Sequence, residues 1–571
     1  MNARADTVSD DLEQQRLKPL YLAAMRQRFK NLINRLTSGG DMRRQIGDHP
    51  EAVDLAFLMS YVQAWHWLRL QLNDDWRGPM LDAFKGSARA FLMELLEHSD
   101  SPEAFIRGYI DFWRASPPPG PVQRQQLMRL LDARGGDAER LVEDIMAVWR
   151  GMNVYPAPDK QLYVEIARDE RNRYDAMLGP EDRERLALVD ALPDTDDCPP
   201  RFAKLGMIPH MGCPQTCRHC MFIFRPFVKG KERAGEIYEL VDGLTDSLLF
   251  TGGDLTRHME HFYRAIREMK HIRNFAILLN GDFADSPKAV RELLGEMERA
   301  LGARPAGWPQ AGVLLQISFD EFHQEVLPDK HGRLKERIPV GKIANIVEQA
   351  PKFPKIQLAL LHKQNALNFS MDLFQKGVFG RLAAELGARG HQVRVLSSAP
   401  AERQKTHPLT GERGQVVKDA TFVLAKYPDS PILLTSSTID SYGRAELLEP
   451  GEAVQERDYL MQVLERGRSP GEGFDTDLMF WFNGWATLFS AVHVCLGNVY
   501  DEGADTVLAR QRKDPLSRAL ADFDTRLLEF YAERRDDLPR RIERASSPHQ
   551  LFHAITEDAA MRLHMTQRLL D

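Results

Sequence analysis

An α/β fold is predicted for the middle of the chain, a parallel sheet or barrel (196–440) between an all-helical N-terminal domain (1–195) and a small α+β extension (441–571). Three observations predict it. Apolar residues recur at helical spacing from about Leu12 to Arg185. Short apolar runs then alternate with helical segments about six times, which is the pattern of a parallel sheet. Beyond about Asp440 that alternation loosens into one charged helical stretch and an apolar, aromatic one.

Length and composition agree. At roughly 150 residues per domain, 571 residues suggest about three or four units, and 43% apolar with 27% charged residues is enough to bury a large core. The net charge of −7 is spread evenly, with no basic face for nucleic acid or an anionic membrane, so neither partner is expected. Met1 to Leu17 is charged and polar, without the apolar core of a signal peptide. The most apolar helical stretch, Ala52–Leu72, carries Asp54, Gln63, His66, Arg69 and Gln71 as a wet stripe, so it reads as a packed helix rather than a membrane span. The expected compartment is the cytoplasm.

In chain order, helices are predicted in Leu17–Leu36, Ala52–Leu72, Pro79–Leu96, Pro102–Arg114, Val122–Leu131 and Ala138–Trp149. Ser101-Pro102 places proline in a helix first turn, and Ser116-Pro-Pro-Pro-Gly-Pro121 is a break. Leu192 to Pro200 reads as a domain junction. Strands follow at Lys204–Pro209, Ser247–Thr251, Phe275–Asn280, Val313–Ser318, Ile356–Leu361, Val393–Ser397 and Ile432–Thr435. Helical segments lie between them: Ala234–Leu240, Met259–Met269, Pro287–Leu301, Val340–Glu348 and Leu373–Leu386.

The chain has five cysteines, Cys198, Cys213, Cys217, Cys220 and Cys495, too few and too unevenly spaced for a disulfide framework. Three of them fall within eight residues, Cys213-Pro-Gln-Thr-Cys217-Arg-His-Cys220. Thiols at these spacings can converge on one metal site from a single loop, and thiolates suit both iron–sulfur clusters and zinc. Zinc would need a fourth ligand, for which His210, His219, Cys198 or His258 are at hand; no second Cys-x-x-Cys knuckle occurs. Three thiolates around a four-iron cluster would instead leave one iron open to a small molecule.

A CxxxCxxC loop after the first strand of such an alternation resembles the radical S-adenosylmethionine (radical SAM) superfamily. The resemblance implies a partial (β/α)6 barrel, one [4Fe-4S] cluster on Cys213, Cys217 and Cys220, and S-adenosylmethionine (SAM) on its unique iron. It also implies reductive cleavage of SAM to a 5′-deoxyadenosyl radical that abstracts hydrogen from substrate. Gly252-Gly253-Asp254, 32 residues after Cys220, is similar to the family's GGE motif, with Asp in place of Glu; all three are implied to help hold SAM. Ser318-Phe-Asp320-Glu321 is similar to its SxDG segment, with Glu in place of Gly, which puts Ser318 near SAM; Ser318 and Asp320 could equally cap the next helix. His219 stands where the family commonly has an adenine-contacting aromatic residue.

At other strand ends Asn280, Asp282, His323, His362, Asn365 and Arg394 are candidates for the substrate pocket. Thr438 to Arg444 and Val494-Cys-Leu-Gly-Asn-Val499 are similar to the skeleton of SPASM or twitch extensions, but Cys495 alone cannot hold a cluster there. Phe480 to Trp485 reads as core or interface. The implied substrate is a small molecule or a peptide, and the implied electron source a flavodoxin or ferredoxin. The catalytic residues and the reaction subtype are not legible. The alternative from another class is a non-catalytic zinc-binding scaffold.

Overall fold

The computed structural model of the chain describes residues 11–22, positions 51, 54, 55, 58, 59, 61, 62, 65, 91, 94 and 95, and then 98–118, 120, 122–151, 177–194, 201–222, 228, 231–329, 332–363, 377–406, 413–437, 443–448, 456–470 and 473–571. The chain divides into two compact units. The first is Met1–Glu165 with Val326–Lys335 and Glu449–Gly451; the second is Ile166–Glu325, Glu336–Leu448 and Glu452–Asp571. Among the described residues no helix is long and apolar enough to cross a membrane.

The first unit is built on residues 11–22 and on helices α1 (Pro102–Ala115), α2 (Val122–Asp132) and α3 (Ala138–Gly151). Ser101 caps α1, its side chain accepting from the Ala104 amide at 3.1 Å with Pro102 in the first turn, as the Ser-Pro pair predicts. Phe105, Tyr109, Leu130 and Ile145 are buried with Leu17 and Leu58 in one apolar core. This unit is not wholly helical, however. A hairpin of Val326–Pro328 and Leu334–Glu336 brings Val326 and Leu334 into the same core, and Gln14 bonds both the amide and the carbonyl of Leu334 at 2.8 Å. No local pattern announces such an insertion, because its partners lie some 300 residues away.

The second unit is organised on one eleven-stranded sheet. In chain order its strands are β1 (Leu205–Ile208), β2 (Ser247–Phe250), β3 (Asn274–Leu279), β4 (Gly312–Ser318), β7 (Ile356–Lys363), β8 (Val393–Thr406), β9 (Arg413–Leu424), β10 (Ile432–Ser437), β11 (Leu478–Trp481), β12 (Trp485–Leu488) and β13 (Cys495–Asn498), the hairpin strands counting as β5 and β6. The spatial order is β13-β12-β11-β1-β2-β3-β4-β7-β10-β9-β8. The seven strands from β11 to β10 in that order pair in parallel, and an antiparallel hairpin extends each side. Parallel strands want both faces covered; all four residues of β1 are buried, and so are Leu315 and Ile317 of β4.

Helices α5 (Ala234–Asp242), α6 (Met259–Glu268), α7 (Pro287–Gly302), α8 (Val340–Gln349) and α9 (Gly377–Ala388) fill the intervals of the strand–helix alternation. Ser286 caps α7 from before Pro287, its side chain accepting from Ala289 at 3.2 Å. The predicted strands thus exist, but their order differs from a simple progression. Val393–Ser397 is not the next parallel strand after β7; β10 takes that place, and β8 pairs antiparallel with β9 beyond it. Burial explains the exchange: Ile432 and Leu434 of β10 are within 1% of complete burial, while Val395 and Leu396 of β8 are 40% and 50% exposed.

The segment after 440 is continuous with the sheet. β11 lies beside β1 with Met479 opposite Gly206, and Phe480, Trp481 and Phe482 are core residues, the Trp481 indole N–H bonding Thr487 Oγ1 at 3.2 Å. Helix α4 (Pro180–Asp190), which the sequence places in the N-terminal domain, belongs to this second unit. Two buried ion pairs fasten it to C-terminal helices: Arg185 with Asp514 at 3.0 Å and Asp182 with Arg562 at 2.8 Å.

Candidate functional site

Parallel strands deliver their following loops to one edge, where the loop residues of neighbouring strands meet. The loops after β1, β2, β3 and β4 meet there around a cavity of about 380 Å³. Cys213, Cys217 and Cys220 all line it. So do Thr251, Gly252 and Gly253 after β2, Asn280 after β3, Ser318 at the end of β4, and His219, Asp320 and His323.

The cysteine loop is held from several sides. The Gly253 amide donates to the His210 carbonyl at 2.9 Å and the Asp254 amide to that of Gly212 at 2.8 Å. Gln215 Nε2 reaches Asp282 Oδ2 at 2.9 Å, Arg337 reaches Thr216 Oγ1 at 2.8 Å, and Arg218 pairs with Glu325 at 3.0 Å. Arg337 also pairs with Glu325, at 2.9 Å. From the tail, the amide of Arg444 donates to the Cys220 carbonyl at 2.9 Å. A Cβ on Gly443, whose φ is +63°, would meet the Met221 carbonyl oxygen, so this glycine lets the chain pass close beside the last cysteine.

The glycine pair has a steric duty toward the cysteine loop. A Cβ on Gly253 would lie 2.2 Å from the Gly212 carbonyl oxygen and 2.3 Å from that of Met211. The missing side chains make room for the backbone of the cysteine loop, and both glycines still border the cavity. Asp254 does not line it; its carboxylate accepts from the Thr256 amide at 3.1 Å and caps the turn Leu255–His258.

The richest electrostatics lie beside Cys217. Asp320 Oδ2 is 3.0 Å from His323 Nδ1 and 3.8 Å from His219 Nε2, while Asp320 Oδ1 accepts from the amides of Phe322 and His323 at 2.9 Å. His219 stacks on Phe322 at 4.7 Å and meets His323 edge-on at 4.7 Å. The His323 ring lies near enough to the Cys217 thiol for their charges to interact. Burial would raise the Asp320 carboxyl, but the two histidines outweigh it and carry it far below the carboxylate range. Burial would lower His323, but Asp320 and Cys217 hold it well above the ordinary histidine value. Burial would raise the Cys217 thiol, yet His323, with Arg337 behind it, brings it below the usual thiol range.

Among the described residues the only three-member His, Cys, Asp or Glu group with ligand atoms all within 4.8 Å of one another is His219, Asp320 and His323. The three cysteine sulfurs form no such tight group. A tetrahedral zinc site, with Zn–S of about 2.3 Å, would bring sulfurs to roughly 3.8 Å apart; a cluster of several irons needs a wider set.

No protein-family profile matches the sequence, and no curated protein matches it. Among solved structures the chain is similar to "Native anSMEcpe with bound AdoMet", with 12% identity and a TM-score of 0.32 over 65% of this chain and 98% of that one. At that level of similarity the reading of the site rests on its own geometry.

The remaining sequence candidates separate. Asn280 borders the cavity; its Oδ1 accepts from the Asp282 amide at 2.9 Å, and its Nδ2 is buried without a hydrogen-bond partner. Asp282 is tied to Lys342 at 2.8 Å and stays outside the lining. His362 is buried against Phe379 rather than in the cavity, Arg394 is exposed on β8, and Asn365 lies outside the described residues, as does Cys198. Cys495 is buried, its thiol pushed up to about 12 by desolvation. His210 and His258 face each other at 4.1 Å, away from any three-ligand group.

Sequence reasoning missed one wall of the cavity. Phe474, Phe489 and Ser490, with His549 and His553 one turn apart on the helix Pro548–Thr556, line it from the C-terminal segment. The i, i+4 histidine spacing is visible in the sequence, but nothing local says that this helix face meets the cysteine loop.

Proposed function

We propose that the chain is a radical SAM enzyme that abstracts hydrogen from a small-molecule or peptide substrate. The observation that carries this reading is that Cys213, Cys217 and Cys220 border one cavity together with residues from the ends of the next three parallel strands. The donor set fits the group: three thiols, one of them buried and held toward thiolate, with no zinc-like clustering. Cys213, Cys217 and Cys220 would hold a [4Fe-4S] cluster, leaving its fourth iron for the amine and carboxylate of SAM. When bound and reduced by one electron, that cluster supplies the cleavage of the SAM sulfonium to methionine and a 5′-deoxyadenosyl radical.

The chain's own residues bind, orient and shield. Asn280 Nδ2, a buried donor without a partner at the cavity edge, and the Ser318 hydroxyl are the groups to meet SAM's polar atoms. His219, held flat on Phe322, offers a ring face for adenine. Ile208, Leu249, Met479 and Phe489 give the cavity apolar walls that keep water from a reactive radical. The C-terminal wall with His549 and His553 is where substrate would lie. The electron would come from an external flavodoxin- or ferredoxin-type donor.

Anaerobic reconstitution tests the reading. The protein should take up about four irons and four sulfides per chain and release 5′-deoxyadenosine from SAM on reduction. Cys217→Ala should lose both. A colourless protein that binds one zinc through the same cysteines would overturn the proposal in favour of a metal-binding scaffold.

A further inference from the structure

We propose that Thr435 and Ser437 form the polar side of the substrate subsite and take an uncharged, hydroxyl-bearing small molecule, a sugar or polyol. This deepens the reading above and rests on it. Ile432 and Leu434 of β10 are buried in the core, so Thr435 and Ser437 face the other side of the sheet. The strand register shows that this is the cavity side. Ser318 of β4 stands opposite Leu361 of β7, and Leu361 stands opposite Thr435. Ser318 and Leu361 both line the cavity. Leu279 stands opposite Ile317, so Asn280, the next residue and also in the lining, falls level with Ser318 in the same row.

Thr435 Oγ1 and Ser437 Oγ are buried without a hydrogen-bond partner, as Asn280 Nδ2 is. A buried hydroxyl in that state costs free energy until a ligand meets it. Two of them, about 7 Å apart on one face of one strand, call for a ligand with several polar groups. Strands lie ~4.8 Å apart, which sets Thr435 roughly 10 Å from Ser318, with the apolar Leu361 between them. Asn280 and Ser318 are the groups that meet SAM, so the β10 hydroxyls serve a second molecule lying beside it. A hydroxyl donates, accepts and carries no charge, which suits the hydroxyls of a sugar or polyol. An anion is disfavoured by the Asp419 carboxylate at the same strand end, whose Oδ1 accepts from the Ser436 amide at 3.2 Å. An extended peptide would bind by adding a strand, and β10 already has β7 on one side and β9 on the other.

The experiment uses the anaerobically reconstituted full chain, as wild type and as the double variant Thr435→Val/Ser437→Ala. Three probes share one skeleton and differ in charge: glucose, gluconate and glucosamine. Saturation-transfer NMR titrations with and without SAM give their affinities, and equilibrium dialysis gives that of SAM. Glucose should bind wild type more tightly than either charged probe, and should bind the variant about tenfold more weakly. SAM affinity should not follow that loss. Without ligand, the variant's urea midpoint should equal or exceed that of wild type, because the substitutions remove hydroxyls that have no partner. A wild type that binds none of the probes overturns the inference, as does a charged probe preferred over glucose or glucose binding that survives in the variant. A lower urea midpoint overturns it too, since the hydroxyls would then be structural, and so does a parallel loss of SAM affinity, which would assign them to SAM. A wild type that binds no SAM overturns the enzyme reading itself, and the titrations without SAM then decide separately whether the hydroxyls hold a ligand.

Discussion

A Cβ on Gly252 would lie 2.3 Å from the carbonyl oxygen of His210, and the residue's φ of +135° lies in the region that favours glycine. The turn after β2 and the start of the cysteine loop therefore fit only while this position has no side chain. Gly252→Ala should cost about 2 kcal/mol or more in urea denaturation. It should also lower iron loading, because what moves is the backbone that carries Cys213.

Asp254 and Asn280 should behave differently. Asp254→Asn keeps the turn cap, and SAM binding by the reconstituted protein should stay within about twofold. Asn280→Asp keeps the shape and the acceptor for the Asp282 amide but loses the unpartnered donor. Its SAM affinity, read by equilibrium dialysis, should fall about tenfold, or ~1.4 kcal/mol.

Arg185 and Asp514 pair at full burial, and Arg185 also reaches the Cys495 carbonyl at 3.1 Å. Arg185→Ala leaves a carboxylate buried without its cation. Stability should drop by about 3–5 kcal/mol, measured as a shift of the urea midpoint.

Cys495 supplies a pH dependence. Its thiol ionises near 8.5 when unfolded and is pushed up to about 12 in the fold by desolvation. The folded state keeps its proton where the unfolded state loses it, so this residue contributes nothing adverse below about pH 8.5 and lowers stability progressively as pH rises toward 12. The slope should approach ~1.4 kcal/mol per pH unit and should disappear in Cys495→Ala. Iodoacetamide at pH 8 should leave Cys495 unlabelled in the native protein.

What could be read along the chain was the chemistry carried by short spacing. Three thiols within eight residues, strands such as Val313–Ser318 and the Ser-Pro helix start at 101–102 are local signals, set by residues that also contact their sequence neighbours. Asp320 was legible as an end-of-strand acid and Cys495 as a solitary thiol for the same reason.

The sequence by itself therefore determined a cysteine-triad site within an alternating α/β region. Only the tertiary structure decided that β10 rather than β8 lies beside β7, and that Gly252 and Gly253 make room for the cysteine loop. The same holds for His323 at Cys217 and for His549 and His553 across the cavity. Each of these relationships joins residues from tens to hundreds of positions apart. Such pairs are chosen by sheet order and by which apolar faces can be buried together, and no periodicity within a single segment encodes that choice.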